Sequence, residues 1–200
     1  MKEPLNLVIS GVGGQGNVLI GGLIGEALVK ERYAVTIGET YGVSQRGGPV
    51  MSHIRISQER GYGPIVPFGG SDVVLGLEPL EALRVLVDYG NSETKTIANV
   101  RPIYPIDVLS GEAEYPAPDE VQRSMARLSS EAWFLDASGI ALSLGLAVLT
   151  NMVMVGALVA TALLPLSREV FERQLSESMS GKRLALNLQA FGKGFEALKN

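Results

Sequence analysis

The stretch Leu7-Val8-Ile9-Ser10-Gly11-Val12-Gly13-Gly14-Gln15-Gly16 decides the fold. Its apolar start is typical of a buried parallel strand, and apolar residues at helical spacing from about 16 to 31 predict a helix after the turn. The glycines fit the G-x-G-x-x-G pattern between strand and helix. Residues without a Cβ let an anion approach the backbone, and a helix N-terminus supplies free N–H groups. The stretch therefore predicts a phosphate-binding turn, although a tight turn that binds nothing has the same pattern.

A second glycine-containing loop, Ser44-Gln45-Arg46-Gly47-Gly48, lies between a predicted strand at 34–38 and an alternating strand at 50–56. Both loops follow strands, so they are expected at one edge of a parallel sheet, where ligands bind. Arg46 can hold a phosphate or carboxylate with two hydrogen bonds, or it is a solvated loop charge. Glu39 stands near the position of a ribose-binding carboxylate.

The rest of the chain predicts one α/β domain over 1–200, Rossmann-like and three-layered, with a mostly parallel sheet. Further strands are expected at 72–77, 94–100 and 132–137, with a helix from Pro79 and another capped by Asp119. We predict a surface excursion at 57–70 and a flap at 101–118 that holds one short strand at 103–106. The C-terminal portion, about 138–200, reads as helical, with breaks near Thr150, Pro165 and Gly181.

Composition excludes several functions. The chain has no cysteine and one histidine, which rules out disulfides, thiolate-bound clusters and multi-histidine metal centres within these residues. We predict no metal site and assign no catalytic residue. The net charge of −4 gives no indication of the positively charged surface that nucleic-acid binding requires. The start Met1-Lys2-Glu3-Pro4 lacks a signal-peptide layout, so a cytoplasmic location is expected.

Three features are open to more than one interpretation. The apolar segment 140–164 is long enough for a membrane span, but the breaks at 144–146 and 150–151 favour two buried helices. His53 shares a strand face with Met51 and Arg55 and is expected to be a hydrogen-bonded structural residue rather than a proton donor. Asn151, between apolar residues, is predicted to satisfy a buried backbone group.

Several segments of the chain resemble, in the same order, the gamma-type subunits of 2-oxoacid:ferredoxin oxidoreductases. These segments are the two loops, Ser52-His53-Ile54-Arg55, and residues 77–83, 151–157 and 187–191. The resemblance covers nearly the whole chain. It is strongest to the separate beta subunit of indolepyruvate-type enzymes. Tyr41 stands where that family commonly has histidine, so the resemblance does not assign aryl-pyruvate specificity.

The resemblance implies a complex that converts a 2-oxo acid and CoA to acyl-CoA and CO2 while reducing ferredoxin. This chain lacks a Gly-Asp-Gly thiamine motif and cysteines. Thiamine diphosphate, magnesium and [4Fe-4S] clusters are therefore expected on a large partner subunit, which also contacts ferredoxin. We expect this chain to close the active site and to have no activity alone. Binding of CoA by this chain is a hypothesis. The candidate cofactor-binding residues come from both loops and the second strand: Gly11, Gly13, Gly14, Gln15, Gly16, Glu39, Ser44, Gln45, Arg46, Gly47 and Gly48.

Two alternatives remain from the residues alone. One is a self-contained NAD(P)-dependent dehydrogenase or nucleotide-sensing module, which the glycine turn and Glu39 also fit. The other is a scaffold whose loops bind nothing.

Overall fold

A computed structural model describes residues 2–41, 48–104 and 106–199 of the chain, and these contain a six-stranded sheet with the order β2-β3-β1-β4-β5-β6. The strands are β1 (Leu5–Val12), β2 (Ala34–Tyr41), β3 (Pro49–Ser57), β4 (Val73–Gly76), β5 (Lys95–Asn99) and β6 (Glu131–Leu135).

Five of the six strands run in the same direction. β1, β4, β5 and β6 pair in parallel, while β3 is antiparallel to both β1 and β2, so β2 again points the same way as β1. The ends of β1 and β2 and the start of β3 therefore share one edge of the sheet. The predicted mostly parallel sheet is confirmed, and Gly48 directly precedes β3 at the edge where β1 and β2 end.

Helices cover both faces of the sheet. They are α1 (Asn17–Lys30), α2 (Pro79–Tyr89), α3 (Ile106–Leu109), α4 (Pro118–Leu128), α5 (Ala137–Ser143), α6 (Thr150–Ala160), α7 (Arg168–Ser178) and α8 (Gly181–Leu198), with a 3-10 turn at Ala147–Leu149. Residues of α1 and of α5 to α8 pack in the larger core on one face, and residues of α2 and α4 pack in the smaller core on the other. The three layers predicted from the sequence are present.

Alternation along β1 explains the two cores. Leu7 and Ile9 face the larger core, and Val8 faces the smaller one, as expected when side chains project to opposite faces in turn. β3 follows the same rule, with Ile54 and Ile56 in the larger core.

The α6 and α8 helices approach each other with their backbones nearly in contact. A Cβ atom on Gly156 would overlap the carbonyl oxygen of Phe191, and one on Gly194 would overlap the carbonyl oxygen of Val153. Both glycines are therefore required by packing. The α8 helix turns an apolar stripe toward the core: Phe191 is fully buried, and Leu184, Leu188, Phe195 and Leu198 pack against the core.

Some local predictions are wrong. The strand expected at 103–106 is wrong for the residues described there: 103 and 104 are irregular and Ile106 begins α3, because β4 and β5 already have neighbours on both sides. Asp119 is not the cap of α4; the helix begins one residue earlier at Pro118, whose ring fits the first turn. The excursion at 57–70 is only partly on the surface, since Val66 is fully buried in the smaller core.

The apolar segment 140–164 is divided among α5, the 3-10 turn and α6, as the breaks in the sequence predict. Across the part of the chain that the structure describes, every helix is too short or too polar to cross a membrane.

Candidate functional site

A crevice opens at the edge of the sheet between the ends of β1 and β4. From this point α1 leaves toward the larger core and α2 toward the smaller one. Such a reversal of direction in an α/β sheet is the usual place for a ligand. The crevice has a volume of about 500 Å³. It is lined by Val12, Gly13, Gly14, Gln15, Leu77, Arg101, Pro102, Ile103, Ser138, Ala147, Val148, Thr150 and Asn151.

The glycine turn presents backbone to this crevice. Gly14 has φ +98°, a conformation that L side chains rarely adopt, and a Cβ atom there would meet no other atom within 4 Å. Gly13 donates its N–H to the carbonyl oxygen of Gly48 at 2.9 Å, which joins the two glycine loops. Three of the predicted site residues, Gly13, Gly14 and Gly48, thus lie together at the crevice or its border.

The Gln15 side chain has a structural task. Its Oε1 accepts a hydrogen bond from the Val12 N–H at 2.8 Å, and its Nε2 donates to the Leu77 carbonyl at 3.0 Å. The amide therefore ties the end of β1 to the end of β4. Gly11 leaves room for this arrangement, because a Cβ atom there would lie 2.5 Å from Gln15 Oε1.

The first turn of α1 has no acidic residue and receives no hydrogen bond from a capping side chain, and its N-cap, Gly16, has φ 86°. Free N–H groups at a helix start favour a bound anion. Asn151, at the start of α6, donates its Nδ2 to the Gln15 carbonyl at 3.0 Å. The prediction that Asn151 satisfies a buried backbone group is confirmed. A Cβ atom on Gly16 would overlap the same amide.

Four predicted residues of the second loop, Ser44, Gln45, Arg46 and Gly47, lie outside the described residues. Glu39 lies on β2 opposite Ser52, and Ser52 pairs in turn with Ile9 of β1. Because β3 separates β2 from β1, Glu39 is two strand spacings, about 10 Å, from β1. In the usual dinucleotide-binding order β2 lies directly beside β1. Glu39 is therefore one strand too far away to act as the ribose carboxylate beside this glycine turn.

The far wall of the crevice includes Arg101 and Ser138, and residues behind this wall hold them in place. Asn99, the last residue of β5, donates to the Leu77 carbonyl at 3.1 Å and to Ser138 Oγ at 2.9 Å. Arg101 forms an ion pair with Asp136, with 3.0 Å between Nε and Oδ1. Asp136 also caps α5 by accepting the Gly139 N–H at 2.7 Å. A polar residue at or directly after the end of an apolar strand is the signal that could have found Asn99 and Asp136.

A strap of residues 101–104 and 106–115 runs beside the crevice: its first residues, 101–103, line the crevice, and Val108 and residues 113–115 line a smaller cavity around Glu78. Glu78 caps α2 through the Glu81 N–H at 2.9 Å and accepts a hydrogen bond from the Tyr115 hydroxyl at 2.6 Å. Burial and the neighbouring Glu78 carboxylate raise the pKa of Tyr115 well above its usual value, so this hydroxyl keeps its proton. The strap is therefore held at Glu78, and Ile103 lies between the crevice and the smaller polar cavity around Glu78.

His53 lies away from the crevice. Its ring is buried against Tyr89, with centroids 5.0 Å apart, and burial lowers its pKa. Within the ranges that the structure describes, neither ring nitrogen has a hydrogen-bond partner. The expectation of a hydrogen-bonded histidine is wrong, because the apolar contact with α2 occupies the space that a polar partner would need.

The sheet and its edge crevice define an α/β domain of the kind found in oxoacid oxidoreductases. The same fold occurs in the keto/oxoacid ferredoxin oxidoreductase gamma subunit from Geobacter sulfurreducens (TM-score 0.69, 23% identity, covering 97% of this chain and 98% of that one). It also occurs in the 2-oxoglutarate:ferredoxin oxidoreductase from Magnetococcus marinus (TM-score 0.73, 24% identity, covering 100% of this chain and 31% of that one).

Residues 6–197 match the family described as pyruvate ferredoxin/flavodoxin oxidoreductase, and the chain belongs to that family. Among its relatives, indolepyruvate oxidoreductase subunit IorB from Pyrococcus horikoshii is 38% identical over 200 residues, covering 100% of this chain and 98% of the relative. The resemblance seen in the two glycine loops is thereby confirmed.

Proposed function

We propose that this chain is the accessory subunit of a 2-oxoacid:ferredoxin oxidoreductase of the indolepyruvate type. The complex converts a 2-oxo acid and CoA to acyl-CoA and CO2 and passes the electrons to ferredoxin. Thiamine diphosphate, magnesium and [4Fe-4S] clusters belong to the larger partner in this proposal. Family membership supports it, as does the absence of any cysteine that could hold a cluster.

The main structural support for a ligand-binding role of this chain is the crevice at the end of β1. Its floor is the glycine backbone of 13–14 beside the uncapped start of α1, which suits a diphosphate group. Arg101 stands on the opposite wall, but Asp136 neutralises it. Arg46, in the loop joined to the turn through Gly13 and Gly48, supplies the additional positive charge.

CoA is the diphosphate-bearing ligand that we assign to this crevice. The Magnetococcus marinus enzyme, part of which has this fold, was solved with coenzyme A and succinyl-CoA bound. NAD(P) fits less well, because β3 moves Glu39 away from the position of a ribose carboxylate. CoA does not need that carboxylate on the neighbouring strand.

The test is a CoA titration of the reconstituted complex that carries Arg46→Ala. Losing a charged hydrogen bond to phosphate removes about 1.5–3 kcal/mol, so the KM for CoA should rise roughly tenfold to a hundredfold. The KM for the 2-oxo acid should stay unchanged. Arg123→Ala is the control, since Arg123 is an exposed arginine on α4, on the opposite face of the sheet. An unchanged KM for CoA in the Arg46 variant would overturn the CoA role.

A further inference from the structure

A second cavity, which we call the α8 groove, lies beside the crevice on the side of the larger core. It has a volume of about 380 Å³. Its wall includes Leu19, Leu146, Val148, Leu186, Lys182 and Arg183. Val148 and Asn151 line both the groove and the crevice, so the two cavities adjoin.

The apolar wall of the α8 groove is exposed to an unusual degree. The exposed fractions are 40% for Leu19, 44% for Leu146 and 63% for Val148. The three residues come from α1, the loop after α5 and the 3-10 turn, yet they line one concavity. Single exposed apolar residues are ordinary, but large ones that cluster in one cavity mark an interaction site.

Two cations border this apolar wall. Lys182 and Arg183 are exposed, and neither takes part in an ion pair within the described residues. Both lie in the first turn of α8, which has no acidic residue. The positive end of the helix dipole disfavours cations there, so their placement does not help the helix. Their charges are available to carboxylates on another molecule.

We propose that the α8 groove is the docking site for an apolar segment of the large partner subunit that carries aspartate or glutamate. This inference rests on the proposed function. A second copy of the chain fits less well, because a two-fold contact would bring the same cations against each other. Since the groove adjoins the crevice, a segment bound there places the partner beside the glycine turn.

The experiment measures binding of the tagged large subunit to a Lys182→Glu, Arg183→Glu double variant. We expect binding weakened about tenfold or more, because like charges would then face the acidic segment. The matched control is Arg123→Glu, Arg127→Glu, which makes the same charge change on the exposed surface of α4. Acidic residues suit the first turn of a helix, so the thermal midpoint of the α8 variant should not fall. A binding defect would then not be a folding defect.

A second variant, Val148→Asp, tests the apolar wall with one exposed side chain and should also weaken binding. The proposal is overturned if both variants bind the large subunit as tightly as the wild type. It is also overturned if assembly is unchanged and only the KM for CoA rises, which would make the groove a site for a small anion. Loss of a homodimer in the variants would instead assign the groove to a second copy. If the wild-type chain itself does not bind the large subunit, the proposed function fails together with the docking site.

Discussion

The glycine turn after β1 and the crossing of α6 with α8 use the same residue for opposite purposes. At the crossing, Gly156 and Gly194 leave no space, because each lies directly against a backbone carbonyl of the other helix. In the turn, Gly14 has open space around it and a positive φ. The glycines at the crossing therefore allow the two helices to pack closely. Gly14 instead allows an unusual backbone conformation and leaves the backbone open to a ligand in the crevice. Substitutions should separate the two: those at the crossing affect folding, and that at Gly14 affects ligand binding.

The largest effect is expected for Gly156→Ala. The new methyl group would overlap the Phe191 carbonyl, and two helices would have to separate, at a cost of about 3 kcal/mol or more in the free energy of unfolding. Urea unfolding measures this as a lower midpoint. Gly192→Ala on α8 is the control, since its nearest contact is an ordinary 3.7 Å to an Arg168 side-chain nitrogen. Equal stability of the two variants would show that the crossing is not tightly packed.

Asn151→Ala tests how the crossing helices support the turn. Removing the amide leaves the Gln15 carbonyl without its partner, which should cost about 1–3 kcal/mol. The matched control is Asn187→Ala, whose amide donates to the Arg183 carbonyl of its own helix and should change stability by less than about 0.5 kcal/mol. Chemical denaturation of both variants gives the difference. A small loss for Asn151→Ala would mean that the turn holds its shape without α6.

Gly14→Ala should have a modest effect on folding and a larger one on function. A non-glycine residue at this φ costs about 1–2 kcal/mol, and no neighbouring atom would be displaced. The methyl group would, however, stand in the crevice where we place the CoA diphosphate. The KM for CoA in the reconstituted complex should rise by more than the loss of stability explains. A variant with normal CoA kinetics would make this glycine purely conformational.

The smallest effect is expected for Gly22→Ala in α1. A Cβ atom there would have no neighbour within 4 Å, so the substitution should stabilise the chain by up to about 1 kcal/mol through helix propensity. Gly25→Ala in the same helix should gain less, because its Cβ atom would lie 2.7 Å from Ile37 Cδ1 and this terminal methyl group would have to move aside. Thermal melts should therefore show the larger rise in midpoint for Gly22→Ala. An equal or larger rise for Gly25→Ala would contradict the assigned contacts.

Local patterns made much of the fold predictable. The glycine turn, the helix after it and the stripe on α8 depend on residues a few positions apart, and a single sequence shows such spacing directly. The glycines inside α1 show the limit of local patterns: Gly21 and Gly25 contact the sheet, whereas a Cβ atom on Gly22 would meet nothing within 4 Å.

The remaining errors come from contacts between distant parts of the chain. Alternation identifies β3 as a strand but cannot show that β3 inserts between β2 and β1, which moves Glu39 away from the glycine turn. Likewise, the contact of Asn99 with Ser138 joins residues 39 positions apart, and no local spacing reports it. The sequence predicts a shared sheet edge for the two loops, but not the hydrogen bond between Gly13 and Gly48.

Co-purification with the large subunit, followed by a CoA-dependent assay, tests the central claim most directly. After co-expression, the account predicts a brown complex that reduces ferredoxin when a 2-oxo acid and CoA are both present, and no such activity from this chain alone. A chain that stays colourless and unpartnered, and that binds NAD(P)H by itself in calorimetry, would contradict the account.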